Sequence, residues 1–374
     1  MAAATGKRPS SGAQVMSSSF SKIVSSGTPR LRAAFIACAV ALAFGTAGLM
    51  PAAAQEDAAA SETEYAVPSS LAAESLLLDA TYAGERLVAV GEFGHVVLSE
   101  DRGATWHQAE KVPTQATLTG VTFINEKLGF AVGHDATVIR TTDGGENWDL
   151  VYNDTESEMA FMAVYFEDEN RGFALGAFSF IVETNDGGET WEERTLGEGL
   201  LDDYHLNKLF ADKDGDLFIA AEFGVVYHST DQGRTFNRIQ TQYEGSFWGG
   251  FGMNDGSVMV FGMRGNAFRS NDKGQTWQKV DTGTDKSIAG GVQLGSGKVV
   301  LAGLQGYVGY SDNNGQSFVE VTRADRLGYA AVADGPEGQI VVFGEPGAKL
   351  MPDDMEKARE AVGAKITVQV DSDS

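Results

Sequence analysis

Cysteine is almost missing from this sequence, and its scarcity excludes two common ways of stabilising a fold. The only cysteine, Cys38, lies in an apolar run near the N-terminus. The chain that follows this run therefore has neither a disulfide nor a thiolate metal site. Histidine is scarce as well, with five residues, and their scattered positions predict no zinc site. We expect no metal and no cofactor.

Positive charge is also scarce. The chain has 28 lysines and arginines against 52 aspartates and glutamates, and its net charge is −24. Part of the basic charge lies at the N-terminal end, in Lys7, Arg8, Lys22, Arg30 and Arg32. An acidic surface repels the phosphates of nucleic acids and the headgroups of anionic lipids. We therefore expect no nucleic-acid partner.

Long hydrophobic runs are missing except between Ala33 and Leu49. Basic residues precede this run, and Ala52-Ala53-Ala54 follows it as a cleavage pattern. Residues 1–54 are therefore predicted to be a signal peptide, cleaved near Ala54, that exports the protein to the periplasm or secretes it. Residues 55–73 are predicted to be a linker. An uncleaved anchor is the alternative, because the run is at the short limit for a membrane span.

An internal repeat dominates the rest of the sequence. Six segments follow S/T-x-D-x-G-x-T-W, a motif that we call the Asp-box, at intervals of 41 to 45 residues. The box aspartates are Asp101, Asp143, Asp186, Asp231 and Asp272, with Asn313 in the sixth box. The terminal aromatics are Trp106, Trp148, Trp191, Phe236, Trp277 and Phe318. This period is typical of four-stranded propeller blades.

The residue types of the box predict a structural role. An aspartate can accept backbone N–H groups across its own turn, and the glycine can adopt a positive φ. The aromatic ring is expected to pack between neighbouring blades. We therefore interpret the boxes as structural corners, not as catalytic groups.

A strand–turn–strand unit precedes each box, and a seventh unit lies near the end of the chain without a box. The sequence therefore predicts an all-β fold, a seven-bladed β-propeller over residues 74–351, with each box forming the turn between strands C and D. Residues 352–374 are predicted to form a short helix, with Pro352 in its first turn, and a possible ring-closing strand. Two segments could close the ring, Tyr65–Val67 and Lys365–Val370, and the second alternates more cleanly.

The repeat resembles that of a known family. Residues Val132 to Trp148 and Leu175 to Trp191 are similar to the pattern V-G-x-x-G-x-I-x-x-T-x-D-G-G-x-T-W of the photosystem II stability/assembly factor family of BNR-like propellers. The resemblance implies a seven-bladed propeller that acts as an assembly or stability factor for a membrane-protein complex. In the photosynthetic members the client is a photosystem II reaction-centre subunit. Those members use basic surface for their clients, and this acidic chain departs from them in that respect.

The binding surface is predicted on one face of the propeller. In this fold the turns between strands B and C share a face with the loops that join blades, and the Asp-boxes occupy the other face. The predicted binding residues in the B–C turns are Glu92, Phe93, His134, Asp135, Phe178, Glu222, Phe223, Met263, Arg264, Gln305 and Glu345. Aromatics beside carboxylates are typical of recognition surfaces. The alternative is that Phe93 and Phe223 pack under their turns.

The inter-blade loops add Tyr243, Phe247 and Trp248 as candidates on the same face. Trp248 lies outside every box. It could instead begin an innermost strand and line the core.

Three functions remain to be distinguished. The first is an exported, non-enzymatic and monomeric scaffold that binds a membrane or periplasmic protein complex. The second is a carbohydrate-active enzyme of the sialidase type, which would need three convergent arginines and a carboxylate pair. The third is a lectin-like glycan binder. An acidic cluster, Asp212 to Asp216, departs from the spacing of a calcium loop and is better explained as a hairpin turn.

Overall fold

The computed structural model describes residues 63–196 and 203–361. The predicted signal peptide, the beginning of the predicted linker and the candidate strand Lys365–Val370 lie outside these residues. Within the described ranges, no helix combines the length and the apolar character needed to cross a membrane.

The chain forms seven antiparallel sheets whose strands follow one another in sequence order. Blades 1 to 3 contain β1 (Leu77–Ala83), β2 (Arg86–Gly91), β3 (Val96–Ser99) and β4 (His107–Gln108); β5 (Leu118–Phe123), β6 (Gly129–Gly133), β7 (Val138–Thr141) and β8 (Trp148–Tyr152); and β9 (Phe161–Phe166), β10 (Gly172–Gly176), β11 (Ile181–Thr184) and β12 (Glu192–Glu193). Blades 4 and 5 contain β13 (Leu206–Ala211), β14 (Leu217–Ala221), β15 (Val225–Ser229) and β16 (Asn237–Gln240); and β17 (Phe247–Gly252), β18 (Val258–Gly262), β19 (Ala267–Ser270) and β20 (Gln278–Val280). Blades 6 and 7 contain β21 (Ile288–Gln293), β22 (Val299–Gly303), β23 (Tyr307–Ser311) and β24 (Val319–Thr322); and β25 (Tyr329–Asp334), β26 (Gln339–Gly344) and β27 (Gly347–Pro352).

Short helical segments connect some of these strands. Five 3₁₀ turns lie at Ala72–Glu74, Glu92–Gly94, Ala177–Ser179, Met263–Gly265 and Leu304–Gly306. One α-helix, α1, is described over residues 355–361. The sequence had predicted Pro352 in the first turn of α1, and this was wrong, because Pro352 is the last residue of β27. The Asp354 carboxylate caps the helix instead, since it accepts the backbone N–H groups of Glu356 and Lys357 at 3.0 and 3.1 Å.

The seven sheets form a closed ring. The first strand of each sheet contacts the first strand of the next, and β25 contacts β1. The predicted all-β, seven-bladed propeller is therefore confirmed. The second strand of every blade is almost wholly buried, because both of its faces lie against neighbouring sheets.

Blades 7 and 1 are joined by side chains and by apolar packing. The Tyr82 hydroxyl donates to the carbonyl of Asp334 at 2.6 Å, and Arg102 Nε donates to the carbonyl of Gly335 at 2.9 Å. Leu87 of blade 1 shares an apolar cluster with Val341 and Phe343 of blade 7. Within the described ranges, blade 7 has three strands.

The candidate closing segment Tyr65–Val67 does not pair with blade 7. The backbone N–H of Ala66 donates to the carbonyl of Val112 at 2.9 Å, and the Gln108 side chain binds the carbonyl of Val67. The segment therefore lies beside the outer part of blade 1. This interpretation of the sequence was wrong, because the extended segment finds its hydrogen bonds at the first blade of the ring.

Each Asp-box forms a turn between the third and fourth strands, as predicted. In the first box, Ser99 Oγ donates to Asp101 Oδ1 at 2.8 Å and accepts the N–H of Gly103 at 2.7 Å. Asp101 Oδ1 also accepts the backbone N–H of Thr105 at 2.7 Å. Gly103 has a φ of 99°, which side chains with a Cβ disfavour. The box therefore satisfies its own polar groups.

The box aromatics differ in burial. Trp148 is fully buried, and Phe236, Trp277 and Phe318 are nearly so. Trp106 and Trp191 are only half-buried, which departs from the expected burial of every box ring. The predicted location between blades nevertheless holds for Trp106, whose ring meets Phe343 of blade 7 edge-on at 5.8 Å.

An ion pair crosses the centre of the ring. Each inner strand has a register shift at its second residue. Beside two of these shifts, the Lys208 Nζ of blade 4 lies 3.0 Å from the Asp79 Oδ2 of blade 1. The same Asp79 oxygen accepts the backbone N–H of Val121 in blade 2 at 3.2 Å. One carboxylate therefore links three blades.

Candidate functional site

The B–C turns lie beside the loops that enter the inner strands. Leu77 at the start of β1 pairs with Gly91 at the end of β2, and Phe161 pairs with Gly176 in the same way. This register brings each turn next to the loop that precedes its own blade. The predicted turn face, formed by the B–C turns and these loops, is therefore present.

The central residue of these turns has a left-handed backbone. Phe93, Phe178 and Phe223 have φ values of 58°, 51° and 54°. Asp135, Arg264 and Gln305 occupy the same position with φ between 56° and 57°. This conformation is unusual for residues other than glycine, and it is costly for bulky ones.

The three phenylalanines of the turn face are exposed. Their relative accessibilities are 60% for Phe93 and 57% for both Phe178 and Phe223. The alternative that Phe93 and Phe223 pack under their turns is therefore wrong. Apolar side chains that stay exposed together on one surface often mark a site of protein contact.

The two glutamates at the start of these turns hold the turns in place. Glu92 Oε1 accepts the backbone N–H of Leu76 at 3.0 Å, and Glu222 Oε2 accepts the backbone N–H of His205 at 3.0 Å. Both carboxylates are only partly accessible. These hydrogen bonds connect each turn to the loop that precedes its blade, and they thereby position the phenylalanine beside each glutamate.

The other predicted turn residues also lie on this face. His134, Asp135, Arg264, Gln305 and Glu345 are exposed, and Met263 is half-buried. The structure therefore places all eleven predicted positions in turns of one face. Leu304, beside Gln305, is 38% exposed and adds to the apolar surface.

The turns of blades 3 and 4 share a group of four rings, Phe178, Tyr204, His205 and Phe223, that we call the aromatic cluster. The Phe178 ring meets the His205 ring edge-on at 4.8 Å, and the Tyr204 ring lies 5.3 Å from the Phe223 ring. Sequence reasoning missed Tyr204 and His205 as members of the face. Their position directly before the inner strand β13 could have indicated them.

The loop between blades 4 and 5 departs from the predicted arrangement. Phe247 is fully buried as the first residue of β17, so it is not a surface contact. Trp248 is the second residue of that strand and is half-buried, which agrees with the alternative that it begins an innermost strand. Tyr243 and Met263 line a cavity of about 540 Å³ on the turn face.

One histidine supports the turn of blade 1. The His95 ring lies 5.9 Å from the Phe93 ring, and its Nδ1 is 3.0 Å from Ser75 Oγ. Burial lowers the pKa of His95 below its ordinary value, and the charge of Glu92 opposes this effect in part. The imidazole is therefore neutral at neutral pH, where it packs under the turn.

Three arginines converge between blades 3 and 4, as a sialidase-type site would require. Arg171 Nε and Arg194 Nη1 each lie 2.8 Å from an oxygen of Glu183. Arg194 Nη1 also donates to the carbonyl of Gly233, and Arg234 lines the same recess. Arg171 and Arg194 are thus engaged with Glu183, and Arg194 also with the blade 4 Asp-box. The recess lies on the side of the ring away from the turn face.

The acidic residues 212–216 form the turn between β13 and β14, as predicted. Lys273 Nζ lies 3.8, 3.3 and 3.1 Å from carboxylate oxygens of Asp212, Asp214 and Asp216. In the described ranges, no group of three or more histidine, cysteine or acidic residues is arranged to hold a metal ion.

Comparison with solved structures places the fold among known propellers. A YCF48 structure bound to a D1 peptide is 17% identical, with a TM-score of 0.61, and the match covers 74% of this chain and 93% of that chain. YCF48 from Cyanidioschyzon merolae is 15% identical, with a TM-score of 0.59, and the match covers 74% and 95%. An ancestral GH74 enzyme is 13% identical, with a TM-score of 0.61, and the match covers 76% and 45%. At these identities the likeness concerns the fold alone.

No curated protein matches the chain. The model of one protein family does match it, over residues 98–164 and 150–334, and that family is described as photosynthesis system II assembly factor YCF48. Together the matched segments cover more than half of the sequence and include all six Asp-boxes. The chain belongs to the YCF48 family of photosystem II assembly factor-like BNR propellers.

Proposed function

We propose that this protein is an exported, non-enzymatic and monomeric scaffold that binds a segment of a membrane-protein complex through its turn face. One observation carries the proposal: Phe93, Phe178 and Phe223 are exposed at left-handed positions of one face. Such positions cost free energy, and rings that stay more than half exposed gain only part of the burial that would offset it. A partner that covers the rings accounts for both features.

The family supports a protein as the ligand. A YCF48 structure contains a D1 peptide, so a propeller of this type can hold a polypeptide. We extend this role, but not the identity of the peptide, to the present chain. The client is a protein of a membrane complex in the compartment to which this chain is exported.

The contacts of the acidic groups favour binding over catalysis. A glycosidase needs one carboxyl group as an acid and another as a base or nucleophile. Glu92 and Glu222, the glutamates of the aromatic turns, are instead engaged with backbone N–H groups. We expect no turnover of aryl glycosides or sialosides. Turnover that disappears in Glu222→Gln would contradict the proposal.

Photo-crosslinking tests the face directly. A benzophenone amino acid is placed at Phe93 or Phe223 of the full chain, and at Leu150 as a control. Leu150 is an exposed apolar residue on the fourth strand of blade 2, away from the turns. We expect a defined crosslinked protein from the envelope only at the two turn positions. Equal crosslinking at all three positions would contradict the proposed face.

Export is tested separately. Cell fractionation followed by N-terminal sequencing is expected to give a periplasmic or secreted chain that begins near Gln55. A chain that retains residues 1–54 in the membrane would favour the uncleaved anchor.

A further inference from the structure

We propose that the aromatic cluster binds an arginine- or lysine-rich segment of the client, held over blades 3 and 4 by ring contacts and by the acidic groups around them. The inference rests on the proposed function and specifies the chemistry of its partner. Phe178, Tyr204, His205 and Phe223 provide the rings.

The cluster is one connected surface. The backbone N–H of Ser179 donates to the carbonyl of Tyr204 at 2.7 Å, and His205 N–H donates to Glu222 at 3.0 Å. The residues between these bonds join the turn of blade 3 to the turn of blade 4. Phe178 and Phe223 are therefore fixed relative to one another, and a rigid pair of exposed rings loses little entropy when a partner binds.

Apart from Arg238 at the edge of the cluster, the charges near it are acidic. The B–C turns of blades 1 to 4 and the loops 153–160 and 203–205 contain no lysine or arginine. Their acidic residues are Glu92, Asp135, Asp154, Glu156, Glu158, Asp203 and Glu222. Of these, Asp135, Glu156, Glu158 and Asp203 are exposed. A cationic segment is attracted to this half of the face, and an anionic one is repelled.

The opposite half of the face differs. Blades 5 and 6 present Arg264 in a turn, and Arg323 and Arg326 in the loop before blade 7. Glu244, Asp285, Asp325 and Glu345 are exposed on the same half, so it carries both signs, whereas the half with the exposed phenylalanines is acidic. Apolar contacts alone would not need carboxylates gathered around the rings, so a cationic segment fits this half better than a neutral apolar one.

The rings can also accept cations. A guanidinium group binds the face of an aromatic ring through the quadrupole of the ring. The structure contains such a contact at the edge of the cluster, where the Arg238 guanidinium lies 5.8 Å from the centroid of the Tyr204 ring. The exposed Phe178 and Phe223 rings offer the same kind of surface to side chains of another protein.

Fluorescence anisotropy with labelled synthetic peptides tests the inference. The probe is a short peptide of alternating arginine and glycine, and a peptide with glutamate in place of arginine is the comparison. We expect the full protein to bind the arginine peptide and not the glutamate peptide. Binding should weaken as the salt concentration rises from about 50 to about 200 mM, because screening reduces the attraction of exposed charges.

The double variant Phe178→Gly/Phe223→Gly removes both rings while it keeps the left-handed turns. We expect it to bind the arginine peptide about tenfold or more weakly, as is typical when central aromatic contacts are lost. The triple variant Asp135→Asn/Glu156→Gln/Glu158→Gln should reduce the salt dependence. The matched control Leu150→Ser/Val319→Ser removes two exposed apolar residues that lie on fourth strands, away from the turn face. It should bind the arginine peptide as tightly as the unchanged protein does. Equal binding of both peptides, or full binding by the glycine double variant, would overturn the inference.

The native client separates this inference from the proposed function. If crosslinking at Phe93 and Phe223 recovers a client whose binding is independent of salt and of the acidic residues, the charge inference is wrong and the proposed function stands. If the arginine peptide binds the cluster but crosslinking at Phe93 and Phe223 recovers no client, the cluster is a cation-binding surface and the proposed function is wrong.

Discussion

At the scale of single residues, the Asp-box couples folding to protonation. Hydrogen bonds from the threonine four positions later lower the pKa of three box aspartates to about 2, namely Asp101, Asp186 and Asp231. Such a carboxylate is bound more favourably in the folded turn than in the unfolded chain. The sixth box has a neutral side chain here: Asn313 Oδ1 accepts the N–H of Ser317 at 3.1 Å, and Asn313 Nδ2 donates to Ser317 Oγ at 2.9 Å.

We predict a specific acid dependence from these aspartates. Because their pKa is lowered in the folded state, their contribution to stability is complete above about pH 4 and is lost as the pH falls towards about 2. The variant Asp101→Asn/Asp186→Asn/Asp231→Asn should therefore show a flatter dependence of unfolding free energy on pH in this window. Urea unfolding at several pH values measures it. Asp312→Asn, a change at the exposed second residue of the sixth box, is the control, and an unchanged slope in the triple variant would contradict the prediction.

The box tryptophans allow a second residue-scale prediction. Trp148 is fully buried, and its Nε1 donates to the carbonyl of Gly145 at 2.8 Å, whereas Trp106 is half-buried. Trp148→Ala should lower the free energy of unfolding by about 3–5 kcal/mol, as expected for a buried ring. Trp106→Ala should cost clearly less, because less ring surface leaves water on folding. Denaturant unfolding of both variants checks the order, and equal losses would show that burial does not set the cost.

At the scale of elements, the B–C turns of blades 1 to 6 vary in chemistry while their central residue keeps a left-handed backbone. The central residue is left-handed whether it is phenylalanine, aspartate, arginine or glutamine. The turn is held from outside, by a glutamate in blades 1 and 4. A side chain can therefore change at this position without loss of the turn.

We predict that glycine at these positions separates stability from binding. Phe93→Gly, Phe178→Gly and Phe223→Gly should each leave the thermal midpoint unchanged or raise it. Glycine adopts positive φ without steric cost, which offsets its greater freedom in the unfolded chain. Each change should nonetheless weaken capture of the client. Differential scanning calorimetry measures the midpoint, and a marked drop would mean that the rings stabilise the fold themselves.

At the scale of the whole molecule, the ring depends on contacts between blades that are distant in sequence. Blade 1 meets blade 7 through Tyr82 and Arg102. Blades 1 and 4 are joined across the centre by Asp79 and Lys208, whose side chains are 14% and 36% exposed. A partly shielded pair of this kind stabilises more than one in open solvent.

A double-mutant cycle tests the central pair. We expect Asp79→Asn and Lys208→Met to show a coupling energy of about 1–2 kcal/mol, between the values typical of exposed and buried pairs. The exposed pair Lys111 and Asp149, with nitrogen and oxygen 3.4 Å apart, serves as the matched control with coupling near zero. Unfolding free energies in denaturant give both values. Equal coupling in the two cycles would show that the central pair does not bridge the ring.

The sequence by itself determined the repeat, the number of blades and the place of the Asp-boxes, because each depends on local turn chemistry and on strand alternation that recurs at a fixed interval. It also located the turn face, since strand order alone puts the B–C turns together. It did not determine whether Phe93 and Phe223 would be exposed, because exposure depends on the backbone angle of the turn and on what covers it.

Only the tertiary structure brought together residues from different blades. The aromatic cluster combines a turn of blade 3 with the loop and turn of blade 4, and the Asp79–Lys208 pair spans the ring. The unequal burial of Trp106 and Trp148 likewise follows from the neighbouring blade and not from the motif, which is the same in both boxes. Contacts between blades depend on how the ring closes and on how neighbouring sheets pack. A sequence pattern within one blade does not encode that geometry.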